Sequence, residues 1–177
     1  MSCHSHLKIP KKLKQLTLWI HPEGRVSASL FLNVQSKHGA EEEALLDILN
    51  EMTAFLVLKR GDSDGVRLYN KAFIIRAEYQ EETPPQAMAI TSLLCRLHLS
   101  DSSIIEGSVR EVLRPESSRL FDYLNLEDGP FAKIYLGDDK VCLVNKAYVV
   151  SVTPLSEHNG GNPDWCSPMC ETCKEPA

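Results

Sequence analysis

Three cysteines near the C-terminus are the residues whose type and spacing most directly suggest chemistry. Cys166, Cys170 and Cys173 form a C-x3-C-x2-C pattern, and turns at such spacings bring thiolates within reach of one metal ion. Thiolate ligands select zinc, copper(I) or an iron–sulfur cluster. A fourth ligand is expected from a cysteine or histidine of the tail or of the N-terminus: His158, Cys3, His4 or His6. The tail therefore predicts a zinc or iron–sulfur site, and the alternative is a chain end that binds no metal.

The other two cysteines, Cys95 and Cys142, lie inside apolar, strand-like runs. We expect them to be small core residues, because a free cysteine behaves as a compact apolar side chain. Clustered cysteines in a cytosolic protein indicate metal or redox chemistry before a disulfide framework. Paired carboxylates, a nucleophile elbow and a phosphate-binding glycine loop are all missing from the sequence, so we expect no enzymatic activity.

Charge and composition restrict the partners. The net charge of -5 and the pI near 5.7 argue against a general nucleic-acid binder, which normally carries a basic excess. Residues 1–15 form a basic arm without the apolar segment of a secretory signal. No run approaches the roughly 18 apolar residues of a membrane span. We expect a cytoplasmic protein that binds other proteins, without membrane contact.

The sequence repeats itself. Residues 45–50 match 120–125 and residues 68–75 match 143–150, both at an offset of 75 positions, while residues 18–30 match 97–109 at an offset of 79. The first module therefore holds about four extra residues, which we place in the loop at Gln35–Ala40 because surface loops tolerate insertions. The predicted boundaries are an arm at 1–15, module 1 at 16–80, a linker at 81–92, module 2 at 93–155 and a tail at 156–177.

Each module predicts the same elements. Alternating runs separated by turns indicate a hairpin, which is followed by a short helix, a third strand and a last extended segment that an Asn-Lys pair can divide into two strands. The fold class is therefore mainly β (α+β), with two tandem small β-barrel-like modules, each β-β-α-β-β, and a cysteine-containing tail. A unit of about sixty residues buries only about 60% of its unfolded surface, so we expect the modules to pack together or the chain to form homo-oligomers.

Two polar pairs recur in both modules. Their members are Asp47, Asn50, Asn70 and Lys71 in the first module and Asp122, Asn125, Asn145 and Lys146 in the second. Aspartate and asparagine bond free backbone groups at helix ends and turns, so we favour a capping role, with a left-handed asparagine followed by an exposed lysine. The alternative is a set of polar residues that bind a ligand.

The layout resembles Sm-like domains in part. The order of an alternating strand, a turn, a strand with a glycine (Gly107 within Ile104–Val109), an Asp-x-x-Asn pair and a final paired strand is shared. This resemblance implies a small β-barrel, RNA binding and ring-forming subunits. The sequence departs from the pattern because Asp-x-x-Asn falls within a predicted helix and Asn-Lys replaces the usual Arg-Gly or Lys-Gly.

A second resemblance is to uncharacterised bacterial domains that carry an Arg-Leu-x-Asp-x-Leu-Asn motif, here Arg119–Asn125. It implies no particular activity. The sequence therefore predicts a non-enzymatic scaffold or regulatory adaptor with a protein-binding double β-module. The alternatives are a metal-binding or redox protein that uses the tail, and, less favoured, an Sm-like RNA-binding protein.

Overall fold

Ten β-strands and two short helices make up the part of the chain that the computed structural model describes, which is residues 11–33, 44–61, 65–81, 91–111, 120–126, 129–137 and 139–155. The strands are β1 (Lys11–Ile20), β2 (Gly24–Asn33), β3 (Phe55–Arg60), β4 (Val66–Asn70), β5 (Ile74–Gln80), β6 (Thr91–Leu99), β7 (Ile104–Glu111), β8 (Phe131–Tyr135), β9 (Lys140–Asn145) and β10 (Val149–Pro154). The helices are α1 (Leu45–Asn50) and α2 (Leu120–Leu126), and 3-10 turns occupy Lys71–Phe73 and Lys146–Tyr148. The mainly β prediction is confirmed. None of the helices in these ranges is long and apolar enough to cross a membrane.

The strands form one antiparallel sheet in the order β10-β6-β7-β8-β9-β5-β1-β2-β3-β4. We call β1–β5 with α1 the first half of the chain and β6–β10 with α2 the second half. Within each half the fifth strand pairs with the first, and the ladder between β5 and β9 joins the halves. The expectation of barrel-like modules needs correction. Among the described residues β4 and β10 end the sheet and do not pair with each other, so the sheet is not a closed barrel.

The hairpins form where the sequence alternates. In β2 the buried positions are every second residue, Val26, Ala28, Leu30 and Leu32, because successive side chains of a strand point to opposite faces. The ladder with β1 runs without interruption from Lys11 opposite Asn33 to Ile20 opposite Gly24. One face of the hairpin is therefore apolar and lies against the core.

Backbone pairing in the two halves follows the sequence offsets. Leu18 pairs with Ala77 in the first half, and Leu97 pairs with Val152 in the second. The register of the fifth strand shifts at the same place in each half. The turn after the first strand of each half bonds the 3-10 turn of the same half. His21 N donates to Phe73 O and Ser100 N donates to Tyr148 O, both at 2.9 Å.

The core is divided into two clusters, and each contains side chains from both halves. Phe131, Val141 and Leu143 belong to the second half in sequence, but they pack with the buried residues of the first half. In the opposite direction, Ile75 of β5 packs with the buried residues of the second half. Because each cluster contains side chains from the other side of the β5–β9 ladder, the halves are joined by apolar packing as well as by backbone hydrogen bonds.

Gly107 lies within β7, and a glycine inside a strand can mark a β-bulge. The β6–β7 ladder is continuous through Gly107, which pairs with Cys95. A Cβ at this position would lie 2.5 Å from Tyr135 O and 2.7 Å from Ile134 Cγ2. The glycine is therefore required by the close approach of β8, which is another established use of glycine within a strand.

Candidate functional site

The candidate metal ligands Cys166, Cys170 and Cys173 lie outside the described residues. The same holds for the candidates for the fourth position, which are Cys3, His4, His6 and His158. Within the described ranges, no group of three or more His, Cys, Asp or Glu side chains is arranged to hold a metal ion. The zinc or iron–sulfur site of the tail therefore stays a prediction from its spacing.

Cys95 and Cys142 are fully buried core residues, as their apolar surroundings in the sequence predicted. Burial raises the pKa of Cys95 to about 11 and that of Cys142 to about 12. Because the thiolate is the reactive form of cysteine, both side chains are inert at neutral pH. Neither thiol is a candidate for nucleophilic chemistry.

Asn70 and Asn145 have the same local role but not the predicted backbone conformation. Their φ/ψ values are -71°/121° and -73°/115°, which is extended backbone and not the left-handed region. Each side-chain Oδ1 accepts a hydrogen bond from the backbone N–H two residues later, Ala72 N or Ala147 N, at 3.0 Å. Both asparagines therefore cap the 3-10 turn that separates the last two strands of each half.

Lys71 is buried, so the expectation of an exposed lysine was wrong. Its Nζ donates to two carbonyls at the C-terminal end of α1, Ile48 O at 2.6 Å and Glu51 O at 3.0 Å. The carbonyls at a helix end lack intrahelical partners and carry partial negative charge, so a cation stabilises them. Burial lowers the pKa of Lys71, and the nearby Glu51 carboxylate opposes that effect. Lys146 makes the corresponding contact with Leu124 O at 3.5 Å.

Asn50 joins the halves of the chain. Its Oδ1 accepts from Phe131 N at 2.9 Å and its Nδ2 donates to Phe131 O at 3.2 Å. Gly129 makes room for this amide, because a Cβ there would overlap with Asn50 Cγ. Asn125, the equivalent residue in α2, is exposed and donates to Phe121 O at 2.8 Å within its own helix. The repeated asparagine therefore has two different roles.

Asp47 and Asp122 lie in the first turns of α1 and α2. An acidic side chain at this end of a helix is favoured by the positive end of the helix dipole. The eight recurring residues thus surround the ends of the helices and the 3-10 turns. The contacts described here are with backbone groups, which agrees with the capping interpretation.

Replacing Asn50 by alanine is expected to destabilise the protein more than the matched Asn125→Ala change. Loss of the Asn50 amide removes both bonds to the Phe131 backbone, and a part-buried peptide group left unsatisfied costs about 1–2 kcal/mol. Asn125 bonds only within its own helix, so its replacement changes the free energy of unfolding by about 0.5 kcal/mol or less. Urea denaturation of both variants measures the difference. Equal effects would contradict the proposed clamp between the halves.

Charged side chains reinforce the contact between the halves. Lys140 Nζ lies 2.7 Å from Glu78 Oε2, and Lys133 Nζ lies 2.7 Å and 3.0 Å from the Glu81 carboxylate oxygens. The charge-assisted bonds to Glu81 help to raise the pKa of Lys133, against the opposing effect of burial, which is the largest single influence.

Arg76 of the first half stacks on Trp19 of its own half and bonds a turn of the second half. Its guanidinium lies 3.9 Å from the centre of the Trp19 ring, and its Nη1 donates to Ser103 Oγ at 2.5 Å. Asp101 Oδ2 is 3.9 Å from Nη1. Arg76 belongs to β5, whereas Ser103 and Asp101 lie in the β6–β7 turn, so this contact ties the first half to the second at a different place from the ladder.

The β4 edge is the feature that the sequence did not reveal. We use this name for the side of β4 that has no strand partner among the described residues, together with three exposed apolar side chains, Phe55, Val66 and Leu68. Val150 is exposed in the same way on β10, at the other end of the sheet. Alternation in the sequence shows that these residues belong to strands, but it does not show which strands end a sheet.

No family model matches the sequence, and the comparisons with curated proteins and with solved structures give no match. The candidate site therefore rests on the geometry of this chain. The contacts of the recurring asparagines and lysines are with backbone groups, and the β4 edge has three exposed apolar side chains beside a strand that lacks a second neighbour among the described residues.

Proposed function

We propose that this chain is a non-enzymatic scaffold or regulatory adaptor whose double β-module binds protein at the β4 edge. The observation that supports the proposal is the exposure of Phe55, Val66 and Leu68 beside a strand with one hydrogen-bonded neighbour among the described residues. A free strand edge is a template on which another polypeptide can add a strand through main-chain hydrogen bonds.

The exposed apolar side chains add a hydrophobic contact to the backbone hydrogen bonds that this edge can form. Removing apolar surface from water contributes about 25 cal/mol per Å² to the free energy of binding. Burial of three large apolar side chains on adjacent strands would therefore stabilise a bound protein. Natural sheets commonly protect their edges with charged residues or proline. In β4 the exposed residues are Val66, Arg67 and Leu68, so one of the three is charged and two are apolar. An edge of this composition is typical of a surface that a protein partner covers.

Site-specific photo-crosslinking in cells tests the proposal. A photoreactive amino acid at position 68 is expected to give discrete covalent adducts with protein, because Leu68 is exposed on the strand that ends the described sheet. The matched control is the same amino acid at position 121, since Phe121 is also exposed but lies on helix α2 and not on a strand. Equal labelling at both positions, or no adduct at position 68, would rule out the β4 edge as a protein-binding surface.

A further inference from the structure

The ladder between β5 and β9 shows how the two halves of this chain recognise each other. Ala77 pairs with Leu143 and Tyr79 pairs with Val141 in antiparallel register. The side chains of Val141 and Leu143, together with Phe131 on β8, are fully buried in the cluster of the first half. The second half thus offers two adjacent strands and three apolar side chains to the fifth strand of the first half.

The first half carries the same three side chains at its own outer edge. Phe55 is equivalent to Phe131 because each pairs with the asparagine that ends the next strand, and Val66 and Leu68 are equivalent to Val141 and Leu143 by the offset of 75. The exposures are nevertheless opposite. Phe55, Val66 and Leu68 are 56%, 60% and 67% exposed, whereas each of their counterparts is 0% exposed.

The other end of the sheet shows the complementary difference. Strand β10 is the counterpart of β5, and both pair with the first strand of their half. Ile75 of β5 is 5% exposed, but its counterpart Val150 on β10 is 69% exposed. Among the described residues, the sheet therefore ends in a β9-like edge at β4 and a β5-like edge at β10, and β9 and β5 are the two strands that pair in the ladder between the halves.

We propose that a second copy of this chain covers the β4 edge with its β10 strand, so that the sheet continues from chain to chain. This inference rests on the proposed function, because it names the protein partner of the same edge. The internal register places Val152 of one copy opposite Leu68 of the next, as Ala77 lies opposite Leu143. The contact joins two different surfaces, so association proceeds head to tail and ends in a closed ring or an open filament.

Two sequence differences between the halves make the contact between chains weaker than the ladder between β5 and β9. Pro154 occupies the place of Tyr79, and it has no backbone N–H for a ladder bond. Thr53 occupies the place of Gly129 and carries a Cβ where the amide of Asn50 fits against that glycine, so Asn125 does not reproduce the clamp. The interface between chains therefore depends on the apolar side chains and on a shorter ladder.

Light scattering on the purified full-length chain, combined with an edge-complementation experiment, tests the proposal. The wild type is expected to form a multimer, whereas Leu68→Lys and Val150→Lys each give the monomer mass of 19.8 kDa. Mixing the two variants is expected to give a particle of two chains, because the mixture contains one intact β4 edge and one intact β10 edge. Phe121→Lys, which alters a side chain of similar exposure on helix α2, is expected to leave the multimer unchanged.

Several outcomes would overturn the inference. A monomeric wild type contradicts it directly. A Val150→Lys variant that still forms dimers indicates pairing between two identical β4 edges, and a mixture that stays monomeric shows that β4 and β10 are not complementary. If the wild type is a monomer while position 68 cross-links to a different protein in cells, self-association fails and the adaptor proposal stands. If position 68 gives no adduct either, both proposals fail.

Discussion

Leu143→Ala lowers the free energy of unfolding by about 3 kcal/mol in our prediction, because truncation of a buried leucine combines lost burial with a residual cavity. Leu143 is fully buried on β9 and packs in the cluster of the first half. It also lies in the ladder that joins the halves, opposite Ala77. The change therefore weakens the core and the contact between the halves together.

The matched control is Leu68→Ala, which makes the same chemical change at the equivalent position of the first half. Leu68 is exposed on the β4 edge, and surface substitutions usually change stability by about 0.5 kcal/mol or less. Both variants are compared by urea denaturation in a Val150→Lys background, so that association between chains does not contribute. A loss of similar size in the two variants would show that β9 is not the buried strand of the pair.

Gly129→Ala is expected to cost about 2–4 kcal/mol, from two sources. Gly129 has φ of 131°, a conformation that residues with a Cβ rarely adopt, and such strain costs about 1–3 kcal/mol. The new methyl group would also overlap with the Asn50 amide and displace it from the Phe131 backbone. Urea denaturation measures the loss, and Gly137→Ala is the control, because a Cβ at Gly137 meets nothing within 4 Å.

A double-mutant cycle separates the two sources. In an Asn50→Ala background the amide is already missing, so Gly129→Ala is expected to cost only the backbone strain. Residues in direct contact show such non-additive effects, whereas distant sites add. If the cost of Gly129→Ala is the same in both backgrounds, the contact with Asn50 does not contribute, and the glycine is needed for its backbone alone.

Residues that match between the two halves take on different roles according to their position in the sheet. Asn50 bonds a strand of the other half, and Asn125 bonds its own helix. Leu143 is in the core, and Leu68 is at an edge. In the described part of the chain β9 has a strand on both sides and β4 on one side, so the same amino acid is buried at position 143 and exposed at position 68.

Local sequence determined the elements of this fold. The alternation in β1 and β2 reflects one buried face, and the Asn-Lys pairs mark the 3-10 turns that divide the last segments. The burial of Cys95 and Cys142 followed from the apolar runs around them. Each of these features depends on neighbours along the chain, so it can be read from periodicity and turn-forming residues.

Only the tertiary structure decided how the strands are joined and which side chains face outwards. The order of the sheet, the open ends and the β5–β9 ladder depend on contacts between residues far apart in the sequence. Lys71 illustrates the difference, because its burial depends on the carbonyls of α1, about twenty residues away in the chain. Equivalent residues such as Leu68 and Leu143 are the same amino acid, so their sequence cannot distinguish an edge from a core. Their burial depends on the neighbouring strands, and within the described part of the chain β4 has one such neighbour whereas β9 has two.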